Sequence, residues 1–145
     1  PCTSLARALD VCDVTAVLEE AARVLRAVGL ILWLRDRKGH ELTPVFSHGY
    51  SSETMAQLAR VSRDSDTAIA SAFRTAETRV VDGSEVATGA VVVPLLTPTG
   101  CAGVLALELR HGEERRECVL ASATILAAQL STLVGVPVLA EAVSA

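Results

Sequence analysis

Apolar residues recur along this chain with two spacings, and the places where the spacing changes mark its elements. The most apolar stretch is Gly89 to Leu109, GAVVVPLLTPTGCAGVLALEL. It reads as two strands, about Ala90–Leu96 and Cys101–Leu109, joined by the turn Thr97-Pro98-Thr99-Gly100. The preset φ of Pro98 suits an early turn position, and Gly100 suits a position of positive φ. Val91, Val92 and Val93 stand in a row, and Val104, Leu105 and Leu107 follow on the second strand, so neither face is left polar. Such a pair is covered on both sides and belongs at the centre of a sheet. Gly103 marks a bulge or a close backbone approach there.

Helical spacing appears at both ends. Thr3 to Cys12 holds a short amphipathic piece, after which Asp13 or Thr15 can cap a better helix running to about Ala27. Val14, Val17, Leu18, Ala21, Leu25 and Val28 share one face of it, Glu19, Glu20, Arg23 and Arg26 take the other, and Gly29 suits its C-terminal stop. Leu30 to Arg35 is apolar on both alternations and reads as an interior strand. Asp36 to Gly39 turns the chain into a second strand, Glu41 to His48, in which Pro44 demands a sheet edge or a bulge, an edge being the simpler choice.

From Gly49 to Val86 the chain is less apolar. Ser51 or Ser52 can cap a short helix through Met55, Leu58 and Val61. Arg63 to Asp66 breaks the chain before a second helix, Thr67 to Thr75, whose apolar face is Ile69, Ala72, Phe73 and Ala76. Arg79 to Val81 is a short strand. After the central hairpin, Glu113 to Glu117 is charged, but no formal charge falls between Cys118 and Ala140. Ser122, Thr124, Gln129, Gly135 and Pro137 argue against a membrane span. The expected helix, Cys118 to Val134, lays Val119, Leu126, Leu130 and Leu133 on the sheet. Its flatter stripe of Ala121, Ile125, Ala128 and Thr132 is left for a partner helix.

Composition narrows the class. A length of 145 residues fits one domain, 1–145 with a core at about 15–134, and an opening Pro1 in place of Met suggests a piece of something longer. Half the residues are hydrophobic but only 3% are aromatic, so the core is built of Val, Leu and Ala. A net charge of −4 gives no footprint for nucleic acid or an anionic membrane. No secretory signal is seen, and Cys2, Cys12, Cys101 and Cys118 are spaced as isolated reduced thiols, which points to the cytoplasm and to no metal site.

No nucleophile, base and orienting acid can be assembled, and there is no glycine-rich phosphate loop, so no catalytic residue is expected. His40 and His111 read as solvated or connecting residues. His48 leaves the second strand where the less apolar half begins; it fits a ligand hydrogen bond or a haem iron as well as an ordinary surface role. Trp33 is a core residue or a pocket wall. Arg60, Arg63, Arg74 and Arg79 form a solvated basic face, or one of them, best Arg74, pairs an anionic ligand group. The candidate ligand contacts are thus His48, Tyr50, Phe73 and Arg74, within or beside the Tyr50–Thr88 half.

Val93-Pro94-Leu95, Gly100 and Gly103-Val104-Leu105-Ala106-Leu107 resemble the closing hairpin of GAF domains, and with the helices and strand order the likeness covers roughly residues 15 to 134. The resemblance implies an α/β (α+β) GAF-like sandwich with a central antiparallel sheet of five to six strands, in the order 2-1-5-4-3. The terminal helices lie on one face, the short helices and loops on the other. It also implies a sensory or regulatory module of a bacterial-type protein that binds a small molecule and signals as a homodimer through the Cys118–Val134 helix. The Asn-Lys-Phe-Asp-Glu signature of cyclic-nucleotide-binding members is missing. Residues 49–88 hold none of the cysteines that attach a bilin or reduce free methionine sulfoxide in other members, so ligand and cofactor stay unassigned. A structural dimerisation module with a filled pocket is the alternative, and a thiol-dependent methionine sulfoxide reductase a further one.

Overall fold

The computed structural model describes residues 2–98, 100–110, 112 and 116–134, with side chains described for 14–98, 100–110, 112 and 116–132. The elements run α1 (Cys2–Leu25), β1 (Gly29–Arg35), β2 (Glu41–His48), α2 (Ser52–Gln57), β3 (Val61–Ser62), α3 (Ala68–Thr75), β4 (Arg79–Val81), β5 (Gly89–Thr97), β6 (Gly100–Leu109) and α4 (Glu117–Val134). One six-stranded antiparallel sheet has the order β3-β2-β1-β6-β5-β4. The five longer strands therefore follow the expected order, and β3 is an addition at one edge.

Alternation along the strands sorts side chains into two cores. Leu30, Leu32 and Leu34 join Val91, Val93, Leu95 and Leu105, Leu107, Leu109 beneath α1 and α4. Ile31, Trp33, Val92 and Val104 face the opposite way, beneath α3. Both faces are covered, which is why the strands read as continuous apolar runs. The Thr97-to-Gly100 turn closes β5 on β6 with Gly100 at φ +127°, and the Thr97 hydroxyl donates to the Gly100 carbonyl at 2.8 Å.

Two irregularities have local causes. Pro44 satisfies both of the options open to it. Beyond Leu42, no described strand pairs with the outer edge of β2, and the register with β1 slips so that Val45 has no partner. Gly103 is likewise a site of close approach: a Cβ there would lie 2.1 Å from the Trp33 carbonyl oxygen. The β5–β6 register slips next to it, leaving Ala102 unpaired.

The N-terminal helix departs from expectation. It is a single helix from Cys2 to Leu25, with no cap at Asp13 or Thr15. The segment before Asp13 is rich in Leu, Ala and Arg, and propagating one helix avoids the cost of nucleating a second. It also stops earlier, with Arg26 rather than Gly29 in the left-handed conformation, at φ 56°. The Ala27 amide donates to the Ala22 carbonyl at 2.9 Å and the Arg26 amide to Arg23 at 3.3 Å, the paired bonds of a Schellman stop. Gly29 instead begins β1, because its missing side chain is the space filled by the Tyr50 ring.

In the middle segment, Ser51 caps α2 through the Thr54 amide and Thr67 caps α3 through the Ala70 amide. Val61, expected on the first short helix, pairs with Leu42 in β3. Ala72 and Phe73 are buried as expected, with Ala70 beside them, whereas Ala76 is the exposed left-handed stop of α3. At the other end, Val119, Leu126 and Leu130 of α4 are buried, and Ala121, Ile125, Ala128 and Thr132 are exposed. The expected stop at Gly135 and Pro137, like His111 and Glu113, lies outside the described residues.

Candidate functional site

The face turned away from α1 and α4 carries the candidate site. Its floor is Ile31 and Trp33 of β1, Val92 of β5 and Val104 of β6, roofed on one side by Ala72 and Phe73 of α3. The rest of the roof is light. Helix α2 contributes no buried residue, and Met55 and Leu58 are only partly buried against the floor. Beneath this layer Trp33 is 3% exposed, yet its Nε1–H has no acceptor among the described residues. An unmade bond at a buried donor costs about 1–3 kcal/mol, so the indole nitrogen is a place where an acceptor would be welcome.

The other end of the same face is polar. Ala90, Ala106 and Glu108 are half-buried, so the floor is less completely covered there. The Tyr50 ring crosses Gly29, and its hydroxyl donates to Glu108 Oε2 at 2.8 Å. The Thr88 hydroxyl donates to Glu108 Oε1 at 2.6 Å. Burial of the Tyr50 phenol, then its bond to the Glu108 carboxylate and that group's negative charge, push its pKa well above the usual tyrosine range. Tyr50 is therefore a neutral donor at any physiological pH. Gly49, at φ +86°, lets the chain turn here; a Cβ on it would lie 2.4 Å from the Val28 carbonyl oxygen.

The four residues singled out from the sequence do not all converge. Tyr50 packs against the floor cluster, and Phe73 is buried in it with the Arg63 guanidinium 5.9 Å from its ring centre. Arg74 is exposed and donates to the carbonyls of Arg63 at 2.6 Å and Ser65 at 2.8 Å, bracing the loop before α3. His48 turns to the opposite side of the sheet, toward α1. Arg60 and Arg79 each sit 3.7 Å from a carboxylate, of Glu41 and Glu77 respectively. Glu108 was missed by sequence reasoning, although it stands out as the one carboxylate between the apolar residues of β6.

Of the two described thiols, one borders this cluster. Cys101 is half-buried in the hairpin, its Sγ–H donates to the Gly103 carbonyl at 3.2 Å, and burial pushes its pKa up, away from a reactive thiolate. Cys118 is exposed at the start of α4. Among the described residues no group of three or more His, Cys, Asp or Glu could hold a metal ion, and no helix is long and apolar enough to cross a membrane.

No family model matches the chain, and no curated protein matches it by sequence. Solved structures do. The GAF domain region of a putative membrane protein from Geobacter sulfurreducens PCA superposes with a TM-score of 0.78 at 18% identity, covering 92% of this chain and 99% of that one. The GAF-B domain of DevS from Mycobacterium smegmatis gives 0.70 at 24% identity, covering 93% and 99%. The fold is the GAF fold. Free methionine-R-sulfoxide reductase from Neisseria meningitidis, solved with its substrate, shares it at a TM-score of 0.72 and 18% identity, covering 92% of this chain and 81% of that one. The GAF fold therefore occurs in an enzyme as well as in domains of larger proteins, and the chemistry of each is decided by the side chains it carries.

Proposed function

We propose that this domain is a regulatory sensor that binds a small molecule between the sheet and the α2–α3 layer and signals through its terminal helices. The observation that carries the reading is the Trp33 indole: a buried donor without an acceptor among the described residues, in a layer where α2 buries nothing. Tyr50, Phe73 and Glu108 line the same face, and Arg74 braces its rim. A ligand presenting an acceptor to Trp33 would satisfy the orphaned donor and tighten α2 at once.

Trp33 is the only tryptophan, so it reports on its own site. Native mass spectrometry of protein purified from cells is expected to show a co-purifying small molecule, and stripping it is expected to shift Trp33 emission. Trp33→Phe keeps the fold and weakens retention by about tenfold, the loss of a hydrogen bond worth about 1.4 kcal/mol. A protein that emerges without any molecule, and whose emission is unmoved by a metabolite extract, overturns the ligand reading. It would favour the second one, a structural dimerisation module, which the packing of Trp33 and Phe73 under α3 supports.

Output through a helical dimer rests on α4. An outer helix face normally carries charge, as α1 does with Glu19, Glu20 and Arg23. Along α4 the exposed residues carry no charge after Glu117 and include the stripe Ala121, Ile125, Ala128 and Thr132, with Ile125 61% exposed. Small residues at this spacing admit a second helix closely, and a two-fold axis makes the patch self-complementary. Sedimentation is expected to find a dimer for the unaltered chain and a folded monomer for Ile125→Glu with Ala128→Glu. An unaltered chain that stays monomeric at high micromolar concentration removes the proposal.

The domain is also expected to lack catalysis. Cys101 borders the floor cluster but is half-buried with its thiol donating to the Gly103 carbonyl, and Cys118 is on the opposite side of the sheet, so no activated thiol faces a bound sulfoxide. Turnover of free methionine sulfoxide that disappears in Cys101→Ser or Cys118→Ser would show otherwise.

A further inference from the structure

We propose that a second site, on the opposite side of the sheet, binds an anionic group, a phosphate or a carboxylate. It is a cleft of about 940 Å³ between the last turns of α1, the turn into β1 and the ends of β2 and β6. That volume is in the range of small-molecule sites. The polar side chains lining it are Glu19, Glu20, Arg23, Arg26, His48 and Arg110. Arg23 and Glu20 neutralise each other as a hydrogen-bonded ion pair. Of the remainder, the side chains of Arg26, His48 and Arg110 have no hydrogen bond or ion pair among the described residues, and Glu19 is the one lining carboxylate left to oppose them. Two guanidinium groups and an imidazole therefore share a cleft with too little negative charge of its own.

The backbone brings these groups together. The Val28 amide donates to the Glu108 carbonyl at 2.7 Å, which ties the turn carrying Arg26 to the strand end carrying Arg110. Leu30 pairs with both His48 and Leu107, so β2 delivers the imidazole to the same end of the sheet. Arg26 is held by the Schellman bonds in a left-handed conformation that glycine adopts more easily. Those same bonds occupy the carbonyls of Ala22 and Arg23, which reduces the negative end-charge that α1 would otherwise present to an anion. Ala27 and Val28 add apolar wall, so the fitting ligand is a small organic anion whose phosphate or carboxylate meets the planar guanidinium groups.

The test uses inorganic pyrophosphate and citrate as probes of the two chemistries, titrated at low salt and followed by amide NMR. Arg26→Gly is the informative variant, because glycine at that left-handed position preserves the fold while deleting the guanidinium. Shifts are expected at residues 26–28, 48 and 110, with affinity falling at least about tenfold in Arg26→Gly combined with Arg110→Gln. Tighter pyrophosphate identifies a phosphoryl ligand and tighter citrate a carboxylate; either supports the site. No shift up to about 10 mM of either probe, or an equal loss on changing Arg60→Gln outside the cleft, overturns it. Trp33 emission should be unmoved by both probes, so this site and the ligand site under α2 succeed or fail separately.

Discussion

Leu107→Asp is expected to abolish the cooperative thermal transition, while Lys38→Asp leaves it in place. Leu107 lies on β6, paired with Leu30 on one side and Val91 on the other, and is fully buried beneath α1 and α4. A carboxylate there has no cationic partner among the residues packed around it, which are Leu, Val and Ala. Leaving a charge unpaired in such surroundings costs several kcal/mol, and a domain of this size has about 5–15 kcal/mol in total. Lys38 stands in the exposed turn closed by the Gly39 amide on the Asp36 carbonyl, where a charge change shifts stability by about 0.5 kcal/mol or less. Circular dichroism melts of the two variants decide the matter. A Leu107→Asp melt that matches the unaltered chain would mean that β6 is not the centre of the fold.

Gly103→Ala is expected to be the most damaging single-methyl change, destabilising by about 3 kcal/mol, at the upper end of overpacking costs. The added Cβ would meet the Trp33 carbonyl oxygen and the Leu34 Cα, both backbone atoms that no side-chain rotation can move aside. The two central strands would have to separate where β6 already slips its register on β5. Gly100→Ala makes the comparison, since a Cβ there meets nothing within 4 Å and the cost is confined to its positive φ. Chemical denaturation of both variants measures the difference. Equal midpoints would show that β1 and β6 are more loosely paired than the geometry indicates.

Much of the fold was legible because its determinants are local and repetitive. A strand buried on both faces has to be apolar along most of its length, and β1, β5 and β6 are, with polar side chains only at Arg35, Thr97 and Glu108 toward their ends. Helix α4 keeps Val119, Leu126 and Leu130 on one stripe and small residues on another, and the two stripes separate in the structure into buried and exposed. Pro98 and Gly100 announce their turn by backbone restriction alone. The stop of α1 was harder to read. Glycine is the usual left-handed residue, but Gly29 was needed elsewhere, beneath a ring that arrives from Tyr50 on another strand connection.

The candidate sites were less legible for the same reason. Sequence periodicity says which side of its own element a residue occupies; it does not say what will stand opposite. His48 and Tyr50 are two residues apart, yet the turn at Gly49 sends one to the α1 cleft and the other across Gly29 to Glu108. Arg74 reads as a free cation from its spacing, but the loop carbonyls of Arg63 and Ser65 come within reach only once α3 has docked. The sequence by itself determined the strands, the covering of both faces and the uncharged stripe of α4, because hydrophobic pattern and turn chemistry act over a few residues, while the sheet order came from the resemblance to GAF domains. Tertiary structure alone decided the orphaned Trp33 donor, the Tyr50–Glu108–Thr88 cluster and the meeting of Arg26 with His48 and Arg110. Each of these is a polar interaction, or the lack of one, between segments distant along the chain, and such encounters are set by strand register rather than by composition.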